Sequence, residues 1–172
     1  MQSAYFDVYA EWQADPEAFW LRAAETLDWS KPVERVFDPD QGVYGRWFMG
    51  GETNTCHNCL DRHVKAGRGD QRALIYDSAM NGTKTSFTYD AVLAEVQAIA
   101  AVLRNHGVGK GDRVILYMPM VPEAVFSMLA CARLGAVHSV VFGGFAAHEL
   151  AKRIDDSGAK VVISASCGLE PG

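Results

Sequence analysis

Apolar residues recur at helical spacing at Val92, Leu93, Val96, Ile99, Ala100 and Leu103, the clearest periodic signal in the chain. Thr88 stands ahead of that stripe as an N-cap, and Gly107 sits where a left-handed residue closes a helix. Upstream, Ala73 to Tyr76 and Lys84 to Thr88 read as two strands joined across Asn81-Gly82, a dipeptide suited to a hairpin turn. Downstream, apolar strand runs at Val114 to Met118, Val137 to Phe142 and Lys160 to Ser164 alternate with helical patterns at Pro122 to Leu134 and Ala146 to Ser157. The strands are apolar on both alternating faces, as expected where helices cover both sides of a parallel sheet. The expected fold class is α/β, the first part of a doubly wound, mostly parallel sheet preceded by an arm with short helices.

The pattern changes near residue 70. Asp15-Pro16-Glu17 reads as an N-cap, a proline at the first helical position and an acid at the positive helix end, so a helix is predicted from Pro16 to Leu27. From Trp29 to Gly51 the prolines and glycines break any long element, yet Val36, Phe37, Tyr44, Trp47 and Phe48 are too apolar for a free linker. The chain is accordingly divided into residues 1–69, an arm lying against a surface, and residues 70–172. A single compact domain with an appended arm accounts for 172 residues.

Composition narrows the partners. A net charge of −5 and the lack of any Lys/Arg run argue against a nucleic-acid surface. No basic, apolar leader opens the sequence, and no apolar stretch approaches the roughly 20 residues a membrane span needs. The four cysteines have no framework role in a chain of this size, which points to a cytoplasmic protein with reduced thiols.

Several motifs are candidates for chemistry. Gly107-Val108-Gly109-Lys110-Gly111 lies between a helix and a strand, the reverse of the order that aims backbone N–H groups at a phosphate, and is read as a connecting turn. Phe142-Gly143-Gly144-Phe145 has the opposite placement, after a strand and before a helix; its glycines serve either close approach of another group or a turn that needs glycine dihedrals. Cys56, Cys59 and His63 would share one face of a regular helix, but no second ligand pair follows, so a buried thiol and a hydrogen-bonded histidine are expected in place of zinc. Asp61-Arg62, Asp112-Arg113 and Asp155-Asp156 read as solvated or locally paired charges, and His106, His138 and His148 as structural.

Longer segments carry a resemblance. Gly50-Gly51-Glu52-Thr53-Asn54, Asn58 to His63, Gly109 to Val114, Tyr117 to Ala124, Met128 to Phe145 and Ser164 to Gly172 resemble the N-terminal part of AMP-forming short-chain acyl-CoA synthetases. Ala73 to Lys84 and the final nine residues are closer to propionyl-CoA than to acetyl-CoA synthetases. The resemblance implies a ligase that activates propionate or acetate with Mg·ATP to an acyl-adenylate and passes the acyl group to CoA. It implies ATP, CoA, Mg²⁺, a small carboxylate and the rest of the synthetase chain as partners. By the same carry-over Phe142, Gly143 and Gly144 line the CoA channel, with Gly168 and Gly172 in a neighbouring loop where Glu170 replaces a familiar arginine. The family's phosphate loop, ribose acid, acyl-pocket aromatic and catalytic lysine lie outside these segments, so no catalytic residue is assigned and no tight ligand binding by this chain alone is expected. A non-catalytic binding or assembly module on the same fold is the alternative. A flavodoxin-like carrier fits less well, because no acidic cluster ends the first sheet strand.

Overall fold

The computed structural model describes residues 4–168 and forms two compact units, Met1–Asn54 and Thr55–Gly172. The first holds α1 (Ala4–Ala14), α2 (Pro16–Ala24) and an antiparallel pair, β1 (Arg35–Asp38) and β2 (Arg46–Met49). Asp15 caps α2 as the sequence predicts, its carboxylate accepting from the Ala18 N–H at 2.9 Å. The helix stops at Ala24, short of the predicted Leu27. The Thr26 hydroxyl and the Trp29 indole N–H donate to the Ala23 and Ala24 carbonyls at 2.7 and 2.8 Å and close the last turn. The supposed irregular arm contains a real ladder, with the Phe37 and Trp47 rings opposite each other at 4.5 Å.

The second unit opens with a helical segment containing two π-helical turns, His57–Asp61 and Val64–Arg68. Then come the hairpin strands β3 (Arg72–Ser78) and β4 (Thr83–Thr88), followed by α3 (Tyr89–Asn105), β5 (Arg113–Met118), α4 (Pro122–Leu134), β6 (Val137–Phe142), α5 (Ala147–Ser157) and β7 (Val161–Ser164). Thr88 caps α3 through its hydroxyl, which accepts from the Ala91 N–H at 3.2 Å, and Gly107 takes φ +77° beyond the helix end. The compact units meet at residues 54 and 55, earlier than the pattern change near 70, because Cys56 and Leu60 are buried in the same core as Val92 and Val96 of α3.

The sheet is parallel, in the order β6-β5-β7. Val114 and Leu116 of β5 join a core with Val96, Leu103, Phe126, Ala130 and Cys131, which places α3 and α4 on the even-numbered face of β5. On the odd-numbered face the Arg113 guanidinium donates to the Ser157 and Gly158 carbonyls at 2.8 and 3.1 Å, and the Tyr117 hydroxyl donates to the Phe145 carbonyl at 2.9 Å. Both acceptor sites flank α5, so α5 covers the face opposite α4, and Ile115 between those contacts is 0% exposed. Two successive connections leaving on opposite faces are the doubly wound arrangement the apolar strands predict. Val114, Ile115 and Leu116 of β5 are fully buried, and of β6 only Val141 is. Within β6, Val137, Val140 and Phe142 remain exposed, and β6 and β7 each pair on one side only.

Candidate functional site

Parallel strands put the loops after β5, β6 and β7 at one end of the sheet. The loop after β5 turns toward α4 and the loop after β6 toward α5, so the two diverge from neighbouring strand ends, a topology that makes a crevice there the expected ligand position. That is where open α/β sheets receive ligands. Its walls are Met118-Pro119-Met120 on one side and Phe142-Gly143-Gly144-Phe145 on the other. Met120 is 87% exposed and Phe142 66%, an apolar mouth.

Neither Gly143 nor Gly144 has positive φ. A Cβ on Gly144 would stand 2.7 Å from the ring of Phe142 in its own loop, and one on Gly143 would stand at an ordinary contact distance of 3.4 Å from the Met118 carbonyl oxygen.

Around the loop, the Phe142 and Phe145 rings meet edge to face at 6.0 Å, and the Arg153 guanidinium lies 4.8 Å over the Phe145 ring. Arg153 is occupied: it donates to the Glu149 carbonyl at 3.0 Å and pairs with the Glu149 carboxylate at 3.4 Å. Lys152 and His148 meet the same carboxylate at 2.9 and 3.2 Å. Hydrogen bonding from Lys152, then from Arg153, holds the Glu149 carboxyl below the usual glutamate range. Lys152 and Arg153 are therefore paired with Glu149.

The remaining candidates disperse. Gly168 is exposed beyond β7 with open space where a side chain would be, while Glu170 and Gly172 lie outside the described residues. Cys56, Cys59 and His63 do not share a face, because the π-helical turns widen the spacing. Cys56 is fully buried, Cys59 is exposed, and the His63 ring packs 4.9 Å from Tyr89. Among the described residues no group of three potential ligands comes together for a metal. Asp61 is no solvated charge: it takes a forked pair of bonds from Arg133 at 2.8 to 3.1 Å, and the same guanidinium meets the Cys56 sulfur at 3.7 Å. The turn at Gly107 to Gly111 is closed on itself, with the Gly109 N–H donating to Asp112 at 2.8 Å. The sequence reading missed Tyr117 and Arg153, whose only signals were their places on the odd face of β5 and on the loop-proximal side of α5.

Comparison with known proteins extends over nearly the whole chain. Residues 5–59 match the acetyl-coenzyme A synthetase N-terminus, and residues 60–170 match the AMP-binding enzyme family. The chain belongs to the AMP-binding enzyme family. It is 49% identical to human acyl-CoA synthetase short-chain family member 3, mitochondrial, over 170 residues, covering 99% of this chain and 25% of that protein. The cattle protein of the same name is 51% identical over 158 residues, covering 92% and 23%. The acetyl-coenzyme A synthetase of Methylobacterium radiotolerans is 50% identical over 172 residues, covering 98% and 26%. The chain thus spans about a quarter of the length of these curated relatives.

Proposed function

We propose that this chain is the N-terminal part of a ligase that activates a short-chain carboxylate with ATP and transfers the acyl group to CoA. In this reading Phe142, Gly143 and Gly144 line the path of the CoA arm, and CoA supplies the thiol that accepts the acyl group. The observation that carries it is the placement of Gly143 and Gly144, neither with positive φ, at the C-terminal end of the parallel sheet beside the exposed apolar residues Met120 and Phe142. The matched families and relatives support the reaction class. Within that class propionate is the favoured acid, on the segment Ala73 to Lys84; the relatives carry short-chain acyl and acetyl names and do not separate the two. ATP and Mg²⁺ are assigned to residues elsewhere, since Lys152 and Arg153 are held by Glu149. No described helix is long and apolar enough to cross a membrane, and the four cysteines are unpaired. On the thiols we assign the cytoplasm, although the mammalian relatives are named mitochondrial.

Gly144→Leu in the full-length synthetase is the test. The Phe142 ring it meets is exposed and free to rotate, so the fold should survive. Thioester formation is expected to fall by about a hundredfold through obstruction of the arm, with carboxylate-dependent ATP–pyrophosphate exchange retained. Loss of both half-reactions in an unfolded protein would remove the reason for calling this a ligand path. The purified 172-residue chain is expected to show no such exchange, and exchange at the level of a complete synthetase would overturn the division of labour proposed here.

A further inference from the structure

The loop from Phe142 to Phe145 forms one wall of the crevice, yet two of its four residues have no side chain with which to anchor it. Its internal ties are one turn, the Phe145 N–H donating to the Phe142 carbonyl at 3.0 Å, and the edge-to-face contact of the two phenylalanine rings. Its remaining holds come from outside. The Tyr117 hydroxyl on β5 donates to the Phe145 carbonyl at 2.9 Å, and Arg153 of α5, itself fixed by Glu149, lies flat over the Phe145 ring.

Burial does not require the tyrosine bond. It is exposed, and water would satisfy the Phe145 carbonyl equally well, so its removal would orphan no buried group. What it does is fix position. Tyr117 also directly precedes Met118, whose carbonyl faces Gly143 across the crevice, and it stands in register with Val141 of β6. One residue thereby joins the two walls.

We propose that Tyr117 is a positioning residue that sets the width of the crevice, with Arg153 as the second clamp on the same wall. The inference rests on the reading of the crevice as the path of the CoA arm. It assigns these residues no contact with reacting atoms: they fix the loop that carries Gly143 and Gly144.

The test uses Tyr117→Phe, which keeps the ring and deletes the hydroxyl, beside Arg153→Met, which keeps the aliphatic stem and deletes the cation. In the full-length synthetase, hydrogen exchange of the Gly143 to Phe145 amides should rise severalfold in both variants, while α3 and β5 amides keep their protection. In the full-length synthetase, Tyr117→Phe should raise the KM for CoA about three- to tenfold, the range a neutral hydrogen bond commands. The KM values for ATP and carboxylate and the exchange rate should stay as in the parent. An unchanged KM for CoA in Tyr117→Phe, with Gly144→Leu still blocking thioester formation, overturns the positioning role and leaves the path standing. Equal loss of both half-reactions in Tyr117→Phe overturns it as well, since the hydroxyl would then serve the fold. Intact thioester formation in Gly144→Leu overturns the path and the positioning role together.

Discussion

The two ends of the parallel sheet are both rich in glycine and are built in opposite ways. At the end where the strands begin, polar groups tie the turns together. The Asp112 carboxylate accepts from the Gly109 N–H and from Lys160, Lys160 also donates to the Gly107 carbonyl, and Arg113 ties down the end of α5. Gly107 and Gly111 have φ of +77° and +84°, a region that side chains enter only at a cost. At the end where the strands finish, Gly143 and Gly144 have no such dihedrals, apolar side chains stand in solvent, and one hydroxyl spans the gap. A glycine in this fold marks either a bend in the chain or a space kept clear. Its φ tells which.

The largest perturbation of this contrast is expected from the strand the two ends share. Leu116→Ala in the fully buried middle of β5 should lower stability by about 2–5 kcal/mol, read by urea denaturation as one cooperative transition in which both ends are lost together. Two separated transitions would show the ends to be independent. Next come the glycines themselves. Gly111→Ala should cost about 1–2 kcal/mol because alanine must adopt the left-handed region, though open space surrounds the new methyl. Gly143→Ala, at an ordinary contact distance and without positive φ, should change stability by less than about 0.5 kcal/mol. Equal costs would erase the distinction between bend and clearance.

A smaller effect isolates the charged closure. The Gly109 N–H, then Lys160, hold the Asp112 carboxyl below its ordinary range, so the folded state favours the ionised form. That contribution is complete above the ordinary aspartate value of about 4 and is lost as pH falls through the lower folded value. Asp112→Asn should therefore be less stable than the parent at neutral pH and converge with it in acid, as thermal melts across pH would record. The last expectation concerns reactivity alone. Burial holds the Cys56 thiol above its usual range and pushes Cys131 up to about 11, so a thiol reagent should modify Cys59 and Cys167 in the native chain and reach the other two only on unfolding.

Among the elements from β3 to β7, the helices α3 and α4 were legible because each is marked twice, once in apolar spacing and once at its ends: Thr88 and Gly107 for α3, Pro122 and Gly135 for α4. The first region obeys no such rule. In α1 the aromatic residues Tyr5, Phe6 and Tyr9 are exposed and none of its residues is buried, so no stripe announces it. The β1–β2 ladder has strands of four residues, too short for alternation to stand out among glycines. From residue 55 to 68 the π-helical turns break the 3.6-residue arithmetic on which the shared face of Cys56, Cys59 and His63 depended. The Asp61–Arg133 pair spans 72 residues, a separation with no local signature. At the crevice the strand-to-helix placement of Phe142 to Phe145 was readable. The hydroxyl holding that loop belongs to a different strand and was not.

The order β6-β5-β7 also bears on how the sheet comes into being. Its central strand is the first of the three to be synthesised, and a parallel neighbour is added on one flank and then on the other. Once α4 and β6 have emerged, β5 already has α3 and α4 over one face and a partner at its side. A native-like nucleus can therefore assemble on the ribosome before β7 exists. Each later strand meets a finished template. The slow step of parallel pairing, closing a long crossover, is taken one connection at a time.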